Sequence, residues 1–185
     1  MSKSLIKLLD NALLPAALML VSKFIGILLS IQIFNISWVV QQTPNNIFSF
    51  QTVLSSQDAI TVTSYSDMLM FCVLALGFTI NILRAVFLHK SHVSLDLLTR
   101  LAHKNLLNLI KSSYEIYHSA FIWLVFMWIA ALMILNNTFS QAIFPWVGIV
   151  ALLTSTLLTV IFFQDVYKEL EYLRQHPGKY LNKYS

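Results

Sequence analysis

The chain has 185 residues, of which 57% are hydrophobic and only 11% charged, with a formal net charge of +4. That charged share is far below the ~25% of a soluble domain, which excludes a water-soluble globule: so little polar surface could not hide several long apolar stretches. A single cysteine excludes an intrachain disulfide. The basic residues gather at the ends of apolar stretches, which points to lipid headgroups and away from nucleic acid.

Residues 4–21 are apolar but broken by Lys7, Asp10, Asn11 and Pro15. No compact apolar block followed by an Ala-x-Ala site occurs here, so the first span is expected to act as its own insertion signal. Two starts compete for it. A span beginning near Leu13 leaves Lys23 deep in the bilayer, where an unpaired Lys costs ~2.5–3.5 kcal/mol or more. With no acid expected inside any span, the preferred span is 24–40, with Lys23 snorkelling to the inner surface and Pro15 marking a bend. Trp38 fits an outer aromatic belt. Gly26 and Ser30 form the one small-xxx-small pair and suggest a helix–helix dimer face.

Residues 41–67 read as a polar outer loop rich in Ser, Thr, Gln and Asn. Two stretches of β character, 47–54 and 60–65, predict a small hairpin across residues 55–59. The second span is expected over 68–88, with Cys72 as a small apolar residue within it.

Between spans two and three, Leu95, Leu98, Ala102, Leu106, Leu109 and Ile110 keep the three/four spacing of one helical face. Asp96, Arg100, His103, Lys104, Asn108 and Lys111 occupy the opposite face. An apolar stripe against a basic one predicts an amphipathic helix over 93–116, lying under the headgroups of anionic inner-leaflet lipids. A stalk packed on a partner helix is the alternative.

The third span, 117–135, and the fourth, 142–163, join through the tight turn 136–141 as an antiparallel hairpin. Tyr117 and Trp146 sit at belt positions. Asn136-Asn137-Thr138 matches a glycosylation sequon, but too close to the membrane to be more than a pattern. The fourth helix is expected to continue into a cytoplasmic tail, 164–185, where Phe163, Val166, Leu170 and Leu173 make one seam before Pro177-Gly178 ends it.

With these limits all twelve Lys and Arg fall on one side of the membrane. Basic residues are retained on the cytoplasmic side, so both termini are expected inside. The predicted fold class is an all-α membrane protein, a four-transmembrane-helix bundle forming a single domain, placed in a plasma or inner membrane.

Chemistry is sparse. Glu115 and His118 have the Glu-x-x-His spacing of carboxylate-bridged di-iron bundles. Such a site needs two of these motifs and two further Glu on facing helices, and three Glu in all do not suffice. His89 and His118, with His92 as a spare, would offer axial ligands to a b-type haem at the inner interface. Gln32, Thr79, Asn81, Thr154, Ser155 and Thr156 are the polar groups expected at mid-depth; they read first as interhelical hydrogen bonds and second as a pathway lining. Without an Asp or Glu in a span, a carboxylate relay is not expected. No nucleophile constellation, Gly-rich phosphate loop or zinc pattern appears.

The expectation is therefore a non-catalytic accessory or scaffold subunit without metal or cofactor. Its docking residues would be Phe121, Trp123, Phe126 and Trp128 of the third span and Phe163, Val166, Leu170 and Leu173 beyond the fourth. Its partners would be the lipid bilayer and other membrane subunits or copies of itself, not nucleic acid. A small oligomeric channel or transporter, and a haem-bearing electron carrier, are the alternatives.

Overall fold

A computed structural model describes residues 3–36, 39–42, 50–53, 55–87 and 113–175. Four α-helices dominate: α1 (Lys3–Ile33), α2 (Ser56–Phe87), α3 (Ser113–Phe139) and α4 (Pro145–Gln175). Each contains a stretch long and apolar enough to cross a membrane: Asn11–Ile33, Ser56–Arg84, Ile116–Phe139 and Pro145–Glu171. This is a multi-pass integral membrane protein by length and hydropathy. The amphipathic helix expected over 93–116 lies outside the described residues, except that 113–116 open α3.

Two limits differ from the expected ones, and both matter. The first helix does not start near residue 24 and reach 40: α1 begins at Lys3, runs through Pro15 and stops at Ile33. The missing Pro15 amide hydrogen removes one backbone bond but does not break the helix, as membrane helices tolerate. Its end is a Schellman turn. Asn35 sits at φ 50°, while the Ile36 amide donates to Ile31 O (3.0 Å) and the Asn35 amide to Gln32 O (3.4 Å).

The second helix starts twelve residues earlier than expected. Ser55 caps it, its Oγ accepting from the Asp58 amide at 3.1 Å, so the segment 60–65 is helix and not strand. A hairpin does form, between β1 (Val39–Gln42) and β2 (Phe50–Val53), antiparallel with Val39 opposite Val53 and Gln42 opposite Phe50. Its second strand comes from the predicted stretch 47–54; its first comes from the expected end of the first span.

Two compact units partition these helices. The first comprises Met1–Phe78 and Ile122–Ser155, and thus holds α1, the hairpin, and parts of α2, α3 and α4. Its core is Met70, Leu74 and Phe78 of α2 with Met127, Ala130, Ala131 and Ile134 of α3, all buried. α3 ends in a second Schellman turn, with Gln141 at φ 57° and the Ala142 amide donating to Asn137 O at 2.9 Å. The turn then meets α2 through the Phe144 amide, which donates to Ser64 Oγ at 2.9 Å. Pro145 starts α4, where a missing amide hydrogen costs nothing.

The second unit comprises Thr79–Phe121 and Thr156–Ser185. Ile82, Ile116, Ala120 and Phe162 are its buried apolar residues among those described.

Candidate functional site

Two small-residue faces bring α1 and α2 together in the first unit. On α1, Ser22, Gly26 and Ser30 recur every four residues and all are buried. A Cβ at Gly26 would lie 2.7 Å from the Ser66 Cα, so only glycine lets the two backbones approach this closely. The hydroxyls do not leave buried donors stranded. Ser30 Oγ donates to Gly26 O (2.7 Å), Ser64 Oγ to Ile60 O (2.7 Å) and Ser66 Oγ to Thr63 O (3.0 Å). The small-xxx-small pair expected to form a dimer face is thus used inside the chain.

This approach sets Lys23 beside Asp67. The Lys23 ammonium Nζ donates to Asp67 Oδ1 in an ion pair, and Asn137 Nδ2 of α3 donates to Asp67 Oδ2 at 2.9 Å. Asp67 is 1% exposed and Lys23 32%. Both carboxylate oxygens are engaged, which is the condition for keeping a charge in an apolar interior. Two expectations are corrected here. Lys23 does not mark the start of the first span: it lies twelve residues after Asn11 and ten before Ile33, about 18 and 15 Å along the axis. Nor are the apolar helices free of acids, since Asp58 and Asp67 lie in the stretch Ser56–Arg84, and Asp165 and Glu169 in Pro145–Glu171.

Two residues before Asp67, the Tyr65 ring meets Phe34 in a tilted contact and Trp146 edge-on, with ring centroids 4.8 and 6.5 Å apart. Lower on the same helices, Trp123 fills the notch left by Gly77: a Cβ there would lie 1.9 Å from the indole ring. Trp123 is therefore a packing residue of the first unit. Phe121 is exposed, and Phe126 and Trp128 are half-buried. Of the expected tail seam, Phe163 and Leu170 are exposed and Val166 half-buried, while Leu173 lies within α4.

The polar groups expected at mid-depth are divided between the two units. Gln32 is exposed near the end of α1, with Thr154 half-buried and Ser155 buried in the first unit. Thr79, Asn81 and Thr156 belong to the second. There Ser119 Oγ donates to Asn81 Oδ1 at 3.4 Å, and Tyr117 OH donates to Asp165 Oδ2 at 2.9 Å beside the Phe162 ring. His118 is half-buried on α3; His89 and His92 lie outside the described residues, and so does the pairing a haem would need. No cluster of three or more metal-ligating side chains occurs among the described residues.

The chemistry open to the Lys23–Asp67–Asn137 trio is the neutralisation of one buried carboxylate by an ammonium and an amide. Compared with known proteins, the chain matches no family model, no curated protein and no solved structure.

Proposed function

We propose that this protein is a non-catalytic accessory or scaffold subunit of a membrane complex, with both termini cytoplasmic, in a plasma or inner membrane. The observation behind this reading is that the buried Asp67 spends both oxygens on partners within the chain, Lys23 and Asn137. The outward surface is aliphatic and aromatic: Leu20, Phe24, Leu76, Ile80, Leu153 and Leu157 are all exposed. A surface of that kind suits lipid and neighbouring subunits. The cytoplasmic placement rests on the Lys and Arg distribution, and the Asp67 partner explains why Lys23 stands apart from it. The basic, amphipathic pattern of 93–116 supports its place against anionic inner-leaflet lipid.

Gentle extraction from the native membrane, followed by native mass analysis with absorbance, tests the reading. Co-migration with other subunits at fixed ratio and without colour is the expected result. A homo-oligomer alone would end it in favour of a channel or transporter, and a Soret band would favour haem.

One observation favours the transporter as second reading. A carboxylate inside a spanning helix is the group on which such machines run, and Asp67 supplies one. Reconstituted Asp67→Asn protein should then lose flux completely, whereas in a scaffold the same change alters stability alone.

A further inference from the structure

α4 carries no charged residue from Pro145 to Gln164. That run rises about 30 Å, the thickness of the hydrocarbon core. The charges that follow, Asp165, Lys168, Glu169 and Glu171, therefore stand at headgroup level, with Tyr167 among them as an interfacial aromatic. Two of the acids are taken up by the protein: Asp165 accepts from Tyr117 OH at 2.9 Å, and Glu169 is buried. Lys168 and Glu171 are exposed. Side chains three apart on a helix are neighbours, yet these two make no ion pair among the described residues.

An open groove of about 410 Å³ leads up to this pair along α4, lined by Thr159, Val160, Phe163, Gln164, Tyr167 and Lys168. Its volume falls within the ~300–1,000 Å³ of small-ligand sites. It also crosses the boundary. Val160 and Phe163 close the uncharged run, whereas Tyr167 and Lys168 lie beyond it. Glu171 continues the stripe of Val160, Gln164 and Lys168 at three/four spacing. The order along the helix is thus apolar groove, cation, anion. A phospholipid offers the complementary order of acyl chain, phosphate and, in some classes, a terminal ammonium.

We propose that this groove binds a phospholipid with a primary-amine headgroup, of the ethanolamine class. The acyl chain lies over Val160 and Phe163, the phosphate accepts from the Lys168 ammonium, and the lipid's own ammonium donates to the Glu171 carboxylate. A choline headgroup has no N–H to donate, and a glycerol headgroup brings no cation to Glu171. Lys168 therefore holds the phosphate and Glu171 selects the class. Exposed pairs between side chains contribute little, so a headgroup can take up both charges without loss to the fold.

The test places bimane at Leu157→Cys on a Cys72→Ala background, with the full chain in nanodiscs of equal phosphatidylethanolamine and phosphatidylcholine. Leu157 is exposed one turn before Val160 and outside the groove lining. Bromines are carried on the acyl chains of one lipid or of the other, at identical composition. Stronger quenching by the brominated ethanolamine lipid is expected, for a preference of about twofold to fivefold, the worth of one exposed ion pair. Glu171→Gln should bring the two lipids to parity. Bimane at Leu76→Cys, exposed on α2, should report parity throughout. Equal quenching at Leu157→Cys overturns the site, as does a preference that survives Glu171→Gln or recurs at Leu76→Cys. So does stronger quenching by brominated phosphatidylglycerol when it replaces the choline lipid, or no quenching by either lipid, as a second copy seated on the groove would give.

Discussion

In the first unit α2 receives two neighbours by opposite means. Against α1 it presents small residues, so that Gly26 meets the Ser66 backbone, and the specificity comes from one ion pair. Against α3 it presents a gap, Gly77, into which the largest side chain available, Trp123, is fitted. Lipid competes equally for apolar side chains, so association must come from close packing or from polar groups that lipid cannot satisfy. The α3 contact uses the first of these. The α1 contact needs both, because small residues alone bury too little.

Breaking the ion pair should therefore produce the largest effect. Lys23→Met leaves a fully buried carboxylate with only Asn137, and should cost ~3–5 kcal/mol. Asp67→Leu leaves Lys23 without its carboxylate and should cost ~2.5–3.5 kcal/mol or more, the cost of an unpaired Lys within the bilayer. The double change Lys23→Met with Asp67→Leu should recover most of the loss, as matched apolar replacements of buried pairs do. Unfolding in mixed micelles by titrated dodecyl sulfate measures all three. A double variant no more stable than Lys23→Met would show that packing, not charge, seats α1.

The α2–α3 contact predicts a different pattern. Gly77→Ala places a methyl where the indole lies and should destabilise by ~1–3 kcal/mol or more through overpacking. Trp123→Leu on that background should return part of the loss, which no change at Lys23 or Asp67 would do. Coupling in this double-mutant cycle localises the strain to the notch. Gly26→Ala meets backbone and not a ring tip, so no compensating substitution at a side chain is expected to rescue it.

The four apolar helices were legible from composition and the ~20-residue length rule, and their order followed. The error at Asp67 came from one boundary. Residues 55–66 are rich in Ser and Thr, with Ile60, Thr61, Val62 and Thr63 in sequence, a composition that reads as loop and strand. Tertiary packing overrides that preference. Val62, Ser66 and Met70 are buried four apart, as are Asp67 and Phe71 with Ser64, Leu74 and Phe78 completing a three/four period. A signal was present in Ser55-x-x-Asp58, the capping pattern of a helix that starts at Ser56. An unpaired Lys23 is as costly as the bilayer makes it; its partner, Asp67, closes the segment whose composition reads as loop. The Gly77–Trp123 fit was not legible at all, because helix rotation is decided by packing partners and not by either helix alone.

The smallest effects belong to the second unit, and they separate two kinds of polar contact. Tyr117 donates to the carboxylate of Asp165 at 2.9 Å, whereas Ser119 reaches Asn81 only at 3.4 Å, near the limit of a useful bond. Hydrogen bonds to charged acceptors contribute ~1.5–3 kcal/mol in water-soluble proteins. Membrane bundles average ~0.6 kcal/mol with a maximum near ~1.7, because unfolded helices also find partners. Tyr117→Phe should therefore cost ~1–2 kcal/mol, and Ser119→Ala ~0.5 kcal/mol or less. Both are read from the same dodecyl sulfate titration. If Ser119→Ala proved the costlier of the two, Asn81 would be holding more than a weak hydroxyl bond. Asn81→Leu should then exceed both, and the polar groups of α2 would carry the second unit in the way that Asp67 carries the first.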